Sequence, residues 1–181
     1  MRSSELFTKI TNQTGLFNIQ AIDNIPSIMQ RGLLSNIGAS TIKHTSIAMQ
    51  EIQDRRDAVI IPNGMPLHKY ANVYFDPKNP MLYKRKGENE NICILKFDRS
   101  ILDIKGAIVS DRNASSAYAS FYSPEDGLNE IDFSLVFSTN WLDEDQYEYF
   151  RKKSIKCAEV LIPFCIPYDY VYNGSVKSDT F

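Results

Sequence analysis

The stretch that decides the fold is KCAEVLIPFCIP, residues 156–167. Its apolar run is interrupted only by prolines, which predicts a strand that enters the core of the protein. Glu159 stands at the start of this strand. A buried carboxylate without a partner costs several kcal/mol. Glu159 is therefore at an exposed strand end, in a salt bridge, or in a functional site, and the local pattern leaves these three environments open.

The rest of the chain mixes short predicted strands with short predicted helices in irregular order. The strands are predicted at 15–22, 59–61, 73–75, 92–97, 107–109, 157–162 and 168–172, and the helices at 25–31, 46–56, 80–83, 114–122, 130–138 and 144–153. This order lacks the regular alternation of a doubly wound sheet. We therefore predict the α+β class, as one domain over residues 1–181 with residues 1–14 as an N-terminal extension.

Composition and charge narrow the classes of function. The 181 residues carry a net charge of −2, so binding to nucleic acid would need a local basic patch. The three cysteines lie in or beside apolar runs and the chain has two histidines, with no metal-ligand spacing among them. We therefore expect core thiols of a cytoplasmic protein and no metal site. No signal-peptide pattern and no apolar stretch of ~20 residues is present.

The common sequence motifs of nucleotide-binding proteins and hydrolases are absent from this chain. The chain has no GxGxxG, no P-loop and no GxSxG sequence. Their absence disfavours three classes of protein: a dinucleotide-binding fold of the usual type, a P-loop enzyme and an α/β-hydrolase.

A few polar residues stand out against this background. Arg55 and Arg56 end a predicted helix, while Asn18 and Gln20 lie within a predicted strand. An arginine with Glu159 suits substitution at a glycosidic carbon. The arginine would neutralise a pyrophosphate, and the glutamate would hold a ribose hydroxyl, stabilise positive charge or take a proton. A solvated helix end and a plain salt bridge are the alternatives for these residues.

Five segments, read together, carry a family resemblance. In chain order they are IDNIPSIMQRGLLS (22–35), SIAMQEIQDRR (46–56), PLHKYANVYFDPKNPMLY (66–83), SDRNASSAYASFY (110–122) and KCAEVLIPFCIP (156–167). In order and spacing they resemble DarT, the nucleic-acid ADP-ribosyltransferase toxin family of bacterial DarTG toxin–antitoxin systems. Asp132, Phe133 and Trp141 add to the match, which covers most of residues 16–170.

The resemblance implies a compact single-domain ADP-ribosyltransferase-like fold with a central mixed or antiparallel sheet. It implies NAD as the donor, a base of single-stranded DNA as the acceptor and nicotinamide as the leaving group. The family's catalytic glutamate falls on Glu159, and its essential arginine falls on the Arg55-Arg56 pair, with Arg56 favoured. NAD would bind between the first strand, the helix at 46–56 and the strand at 157–162. The expected donor contacts are Asn18, Gln20, Asp23, Asn24, Leu34, Ser46, Gln50, Arg55 and Arg56.

The resemblance also implies a nucleic-acid surface. Bases would stack on aromatic side chains, and basic side chains, Lys86 among them, would meet phosphates. The expected contacts are Tyr74, Lys78, Met81, Tyr83, Lys84, Arg85, Arg112 and Asn113. Asn113 stands where thymidine-modifying members often carry a histidine, so the acceptor base stays open between thymidine and guanosine.

Departures from the family pattern keep other functions open. Asn18 and Gln20 stand where many members have a histidine and a threonine, although both amides can still hydrogen-bond a donor. The alternatives are the same fold acting on RNA, protein or water, and a non-catalytic nucleic-acid-binding module. The resemblance further implies a macrodomain antitoxin that reverses the modification. Family members usually continue with another strand, so we expect either a shorter branch or a missing tail.

Overall fold

The computed structural model describes residues 1–88 and 90–172. Within these ranges none of the helices is both long enough and apolar enough to cross a membrane. The helices are α1 (Ser3–Thr11), α2 (Ile25–Arg31), α3 (Asn36–Ala39), α4 (Gln50–Asp57), α5 (Pro80–Lys84), α6 (Pro124–Gly127), α7 (Phe133–Val136) and α8 (Gln146–Ile155). The strands are β1 (Gly15–Ala21), β2 (Leu33–Leu34), β3 (Tyr70–Tyr74), β4 (Ile92–Asp98), β5 (Ile108–Ser110), β6 (Phe121–Tyr122), β7 (Glu159–Pro163) and β8 (Cys165–Ile166).

Six strands form one antiparallel sheet in the order β4-β1-β3-β7-β5-β6, and β2 pairs with β8 in a second, two-stranded sheet. Strand β7, from the stretch at 156–167, lies between β3 and β5 and is registered with both. Because it has neighbours on both sides and is apolar, it forms the centre of the sheet. The predicted α+β class with an antiparallel central sheet is confirmed.

One face of the sheet packs into the main core. Val73 on β3 and Val160 on β7 are registered with each other and fully buried there, since alternate residues of a strand point to the same face. Helix α1 packs against this core, and the ring of Phe7 lies 5.6 Å from that of Phe75. Residues 1–14, which we predicted as an N-terminal extension, thus supply a fully buried core side chain.

The opposite face of the sheet carries polar side chains. Tyr74 on β3 and Ser110 on β5 are both registered with Glu159 on β7, so these three residues form one row across the sheet. Helix α4 lies over this row through Arg56, the one buried residue of that helix. This face forms the floor of the candidate site.

The segment 114–122 does not form the predicted helix. It consists of turns that end in the short strand β6. The side-chain oxygen of Asn113 accepts from the N–H of Ser115 at 2.9 Å, and Ser116 Oγ accepts from the N–H of Tyr118 at 3.2 Å. Such local bonds satisfy backbone groups outside a helix and compete with helix formation.

Smaller differences occur at element boundaries. The predicted strand at 59–61 contributes only an isolated bridge between Ile60 and Pro66, because proline lacks the N–H that a ladder needs. Helix α4 begins at Gln50 rather than at 46, and the helix predicted at 130–138 is reduced to α7. The predicted edge strand at 168–172 is a 3-10 turn followed by one bridge, Val171 to Phe97.

Candidate active site

The site is organised around a buried ion pair. Arg56 Nη1 donates to both carboxylate oxygens of Glu159, at 3.0 and 3.1 Å. The side chain of Arg56 is 8% exposed and that of Glu159 is 0% exposed. Glu159 is therefore in a buried salt bridge, one of the three environments left open by the sequence. A pair this deep offsets its desolvation only with close geometry and further hydrogen bonds.

Those further hydrogen bonds come from the segment that follows β5. The N–H of Ala114 donates to Glu159 Oε1 at 2.9 Å. The backbone N–H of Glu159 donates to Ser110 Oγ at 3.3 Å, and that hydroxyl donates to the carbonyl of Arg112 at 2.7 Å. The segment 110–114 is thus fastened directly to the carboxylate. Any substrate that contacts this segment lies close to Glu159.

Burial and charge set the protonation states around the pair. Burial alone disfavours the charged guanidinium, but the attraction of Glu159 and the hydrogen bonds to it prevail and raise the pKa of Arg56. Burial, reinforced by the negative charge of Glu159, raises the pKa of the Tyr74 phenol. The same two causes raise the pKa of the Cys157 thiol to about 12. Near neutral pH the arginine is charged, while the phenol and the thiol are not.

The sheet splits beside this row. Within the described residues β1 and β3 are registered at one position, Phe17 with Tyr74, whereas β1 pairs with β4 over seven positions. Next to that position Asn18 Nδ2 bridges the gap and donates to the carbonyl of Asn72 at 3.0 Å. A polar side chain is needed there because the ladder no longer satisfies the backbone. The split forms one wall of the cleft.

A second amide network ties down the segment that leads into α4. Asn24 Nδ2 donates to Gln20 Oε1 and to the carbonyl of Thr45, both at 2.7 Å. Asn24 Oδ1 accepts from the N–H of Thr45 at 2.9 Å. Arg85 donates to the carbonyl of Ile47 in the same segment. These bonds hold residues 45–47 between β1 and α5, where they close the cleft on another side.

The cleft between these elements has a volume of about 1120 Å³. Small-molecule pockets typically measure about 300–1,000 Å³, so the cleft has room for a dinucleotide and part of a second substrate. Thirteen of the predicted site residues line it: Asn18, Gln20, Asn24, Leu34, Ser46, Arg55, Arg56, Tyr74, Met81, Lys84, Arg85, Arg112 and Asn113.

Three predicted donor-side residues lie off the cleft wall. Glu159 lies beneath the floor and is covered by Arg56. Asp23 borders a separate, smaller cavity. Gln50 donates to Asp54 at 2.7 Å along the exposed side of α4, because a residue six positions before Arg56 on a helix faces another direction.

Two predicted nucleic-acid contacts also lie outside the cleft. Lys78 is exposed in the turn between β3 and α5. Tyr83 packs its ring 5.8 Å from that of Trp141, in an edge-to-face arrangement. Pro80, Met81 and Lys84 share the side of α5 that lines the cleft, and helical spacing turns Tyr83 away from it.

The lining of the cleft has more basic than acidic side chains, although the chain as a whole carries a net charge of −2. Its charged lining consists of one acidic residue, Glu51, and seven basic ones: Arg55, Arg56, Lys84, Arg85, Arg112, Arg151 and Lys153. This is the local patch that a nucleic-acid function would need. Five of the seven basic side chains are in salt bridges with carboxylates, and the remaining two, Lys84 and Lys153, make none among the described residues. An excess of positive charge in a cleft attracts phosphates.

The chemistry available here is that of a carboxylate and a cation. Among residues 1–88 and 90–172, no group of three or more His, Cys, Asp or Glu side chains could hold a metal ion. Arg56 can bind a pyrophosphate, and the carboxylate beneath it can stabilise positive charge on a sugar. These capacities match transfer of a glycosyl group from a nucleotide.

Comparison with known proteins identifies the family. The family described as "ssDNA thymidine ADP-ribosyltransferase, DarT" matches residues 17–180. This chain belongs to the DarT family. A DarT relative from Thermus sp. (strain 2.9), described as a DNA ADP-ribosyl transferase, is 29% identical over 91% of this chain and 82% of its own length. A DNA ADP-ribosyl transferase–DNA ADP-ribosyl glycohydrolase fusion protein from Thermosipho africanus (strain H17ap60334) is 28% identical over 86% of this chain, which spans 40% of the fusion.

Solved DarT structures share the fold. Thermus sp. 2.9 DarT in complex with ADP-ribosylated ssDNA is similar with a TM-score of 0.76 and 26% identity, over 88% of this chain and 79% of that one. The structure of Thermus sp. 2.9 DarT in complex with NAD+ gives a TM-score of 0.70 and 24% identity, over 87% and 79%. The predicted family and its ADP-ribosyltransferase-like fold are confirmed.

The DarT cleft contains further residues that sequence reasoning missed. His68 lines it from the turn before β3, with Nδ1 3.0 Å from Asp57 Oδ1. Helix α8 contributes a whole side of the lining, which comprises Tyr147, Phe150, Arg151, Lys153 and Ser154. The spacing of 147, 150, 151 and 154 is that of one helix face, and this was the signal available in the sequence.

Proposed function

We propose that this DarT chain transfers ADP-ribose from NAD to a base of single-stranded DNA and releases nicotinamide. The observation that carries the proposal is the Arg56–Glu159 pair in the floor of a basic cleft. Family membership supports the same reaction, because the family is described by ssDNA thymidine ADP-ribosylation. Complexes of the Thermus relative with NAD+ and with ADP-ribosylated ssDNA support the donor and the acceptor.

The donor would be held by the free side of Arg56. Both bonds to Glu159 use Nη1, and within the described residues no hydrogen bond involves Nη2 or Nε. Guanidinium presents five donors in a planar fork, so Arg56 can bind the pyrophosphate while it still contacts Glu159. Asn18 and Gln20 line the cleft beside the sheet split, where their amides suit the nicotinamide or a ribose. Asn24 supports this wall, because its amide donors are taken by Gln20 and Thr45.

Glu159 would act on the reacting sugar. The bond between ribose C1′ and the nicotinamide nitrogen breaks, and its electron pair leaves with nicotinamide. The positive charge that develops at C1′ is stabilised by the carboxylate. A base nitrogen then forms the new bond to C1′ and loses its proton, which Glu159 accepts. In this proposal the arriving pyrophosphate shifts Arg56 so that it keeps its bond to Oε1, which Ala114 also holds, and releases Oε2 to face the ribose.

The acceptor would enter beside the segment 110–118. Asn113 lines the cleft and directly precedes Ala114, whose N–H holds Glu159. Met81 and Lys84 line the cleft from α5. Thymidine is the first candidate base because the matched family is described by it, and guanosine is the second because of Asn113.

The biological setting follows from the same reaction. We propose a cytoplasmic toxin, since both NAD and DNA are present in that compartment. The Thermosipho relative joins a transferase to a DNA ADP-ribosyl glycohydrolase in one protein. An enzyme of that second kind, acting as a macrodomain antitoxin, is the partner that we propose for this chain.

Mass spectrometry of modified oligonucleotides tests the proposal. A mixed-sequence single-stranded DNA would be incubated with NAD and either the wild-type protein or the Glu159→Gln variant. We expect the wild type to add one ADP-ribose and the variant to add none. Fragmentation of the product identifies the modified base.

Parallel reactions with RNA of the same sequence and with no nucleic acid separate the alternatives. Modified RNA with unmodified DNA would overturn the proposed acceptor. Free ADP-ribose formed at the same rate without oligonucleotide would indicate an NAD glycohydrolase. No consumption of NAD under any condition would leave only a binding module.

A further inference from the structure

Helix α8 presents two exposed aromatic side chains to the cleft. Tyr147 is 71% exposed and Phe150 is 54% exposed, and both line the cleft. They are three positions apart on the helix, so they lie on the same face as Arg151 and Ser154. Within the helix only Ile155 is buried. These aromatic rings therefore contribute little to the core, and a role in packing does not explain them.

The position of α8 places this face at the acceptor end of the cleft. The carbonyl of Ser154 accepts from the N–H of Asn113 at 2.9 Å, in the segment fastened to Glu159. Just beyond the helix, Cys157 packs in one apolar cluster with Met81 and Leu82 of α5. Helix α8 thus contacts both elements that line the proposed acceptor end of the cleft, and its exposed face borders that end.

The charges beside the rings select the kind of ligand. Lys153 Nζ lies 5.2 Å from the centroid of the Tyr149 ring and 5.9 Å from that of the Phe150 ring, and it contacts the Tyr149 hydroxyl at 3.5 Å. Among the described residues it makes no salt bridge. Lys84 on α5 also makes no salt bridge within the described residues. Basic side chains that alternate with exposed rings suit a polyanion whose repeating units carry flat bases. A protein segment or a lipid would not need both features in a cleft with one acidic residue.

We propose that Tyr147 and Phe150 form a stacking platform for the nucleotides that flank the acceptor base in single-stranded DNA, with Lys153 contacting a phosphate between them. This rests on the proposed function and goes beyond it, because it assigns a subsite outside the pocket of the reacting base. The platform increases the binding affinity for DNA that extends beyond the acceptor base. It does not take part in the transfer step.

The test compares binding and turnover on two oligonucleotides, one minimal and one extended on both sides of the acceptor. Fluorescence anisotropy measures binding, and initial rates give kcat and KM for each DNA and for NAD. We expect Phe150→Ala and Tyr147→Ala each to weaken binding of the extended DNA about tenfold, the usual scale of one stacked base. Binding of the minimal DNA, the KM for NAD and the kcat at saturating DNA should stay unchanged. Phe150→Trp should retain the preference for extended DNA.

A single abasic site moved along the extended DNA locates the contact. In the wild type one flanking position should weaken binding when abasic, and in Phe150→Ala that penalty should vanish. Tyr172→Ala, an exposed tyrosine outside the cleft lining, is the matched control and should behave as wild type. If the wild type modifies DNA but the α8 variants bind extended DNA normally, the platform is wrong and the proposed function stands. If the wild type neither binds nor modifies DNA, both fall.

Discussion

Two buried ion pairs lie close together in the chain and in the fold, and they differ in what surrounds them. Lys156 Nζ donates to Asp76 Oδ2 at 2.6 Å and to the carbonyl of Val136 at 2.7 Å. Its side chain is 1% exposed and does not line the cleft. Three residues later, Glu159 pairs with Arg56, which does line the cleft. The ammonium of the first pair is enclosed by protein away from the cleft, although Asp76 is 14% exposed, and the second pair has one side open to a substrate.

The choice of cation follows this difference. An ammonium is a compact point charge, and Lys156 directs it at two oxygens of the protein, which joins the end of β3 to the ends of α7 and α8. A guanidinium is a planar fork, so Arg56 can hold a carboxylate and still present donors to the cleft. We infer that the Lys156 pair positions the architecture around the site, whereas the Arg56 pair takes part in the reaction.

Glu159→Gln should give the largest effect on activity. The substitution keeps the shape but removes the negative charge that stabilises the ribosyl centre and accepts the proton. We expect kcat for DNA modification to fall by about 10²–10⁴-fold, measured as initial rates at saturating NAD and DNA. A kcat within tenfold of wild type would show that the carboxylate is only structural.

A paired substitution separates activity from stability at the same place. Replacement of a buried ion pair by apolar residues of similar volume is often neutral or stabilising. The double variant Arg56→Met/Glu159→Leu should therefore lose only about 1–3 kcal/mol of unfolding free energy in urea denaturation, for the N–H of Ala114 left without its acceptor, and yet be inactive. An inactive and strongly destabilised double variant would argue that the pair is kept for folding.

Lys156→Met should give the largest effect on stability. It leaves Asp76, which is largely buried at 14% exposure, without its partner and the carbonyl of Val136 without its donor. We expect the free energy of unfolding to fall by about 3–5 kcal/mol, with kcat of the folded fraction near that of wild type. Urea denaturation measures the change. Lys152→Met is the matched control, because Lys152 pairs with Asp143 nearer the surface, where a pair contributes about 0–1 kcal/mol.

Arg56→Lys should give an intermediate effect, on the donor. The ammonium can still pair with Glu159 but cannot reach a pyrophosphate at the same time. Charged hydrogen bonds contribute about 1.5–3 kcal/mol each, so we expect the KM for NAD to rise about 10- to 100-fold. Arg55→Lys is the comparison, since Arg55 is exposed and only 3.8 Å from Glu51. Equal effects at the two positions would contradict the assignment of the donor contact to Arg56.

The parts of the site that the sequence predicted are those where a residue type conflicts with its position. A carboxylate at the start of a buried strand pointed to Glu159, and polar residues in an otherwise apolar strand pointed to Asn18 and Gln20. The family resemblance connected Glu159 to Arg56 across 103 positions of the chain. No local pattern could have done so, because that contact depends on how α4 packs over β7.

The parts that the sequence did not predict depend on helix phase and on local competition for the backbone. Gln50 is only six positions from Arg56, yet it faces solvent because of where α4 begins. Tyr147 and Phe150 on α8 have the spacing of ordinary core residues. Only their exposure in the structure distinguishes them from core residues. The turns at 114–122 carry enough alanine and aromatic content to suggest a helix, but serine and asparagine oxygens capture the N–H groups.

Cys157 lies between Lys156 and Glu159 in the chain, so its alkylation rate can report on the opening of both ion pairs. This rate is where we expect the smallest effect. Its thiol is buried, and burial raises its pKa to about 12, so in the native protein both access and thiolate are limiting at pH 8. In a Cys93→Ala/Cys165→Ala background we expect Cys157 to be alkylated slowly, at a rate that rises as the pH approaches that pKa.

Lys156→Met should accelerate alkylation of Cys157, because the end of α8 is no longer tied to β3. Arg56→Lys should not accelerate it, because the ammonium still holds Glu159. Mass spectrometry of the alkylated protein over time gives both rates. Equal acceleration in the two variants would mean that the pairs open together, and the division between an architectural pair and a reacting pair would then be wrong.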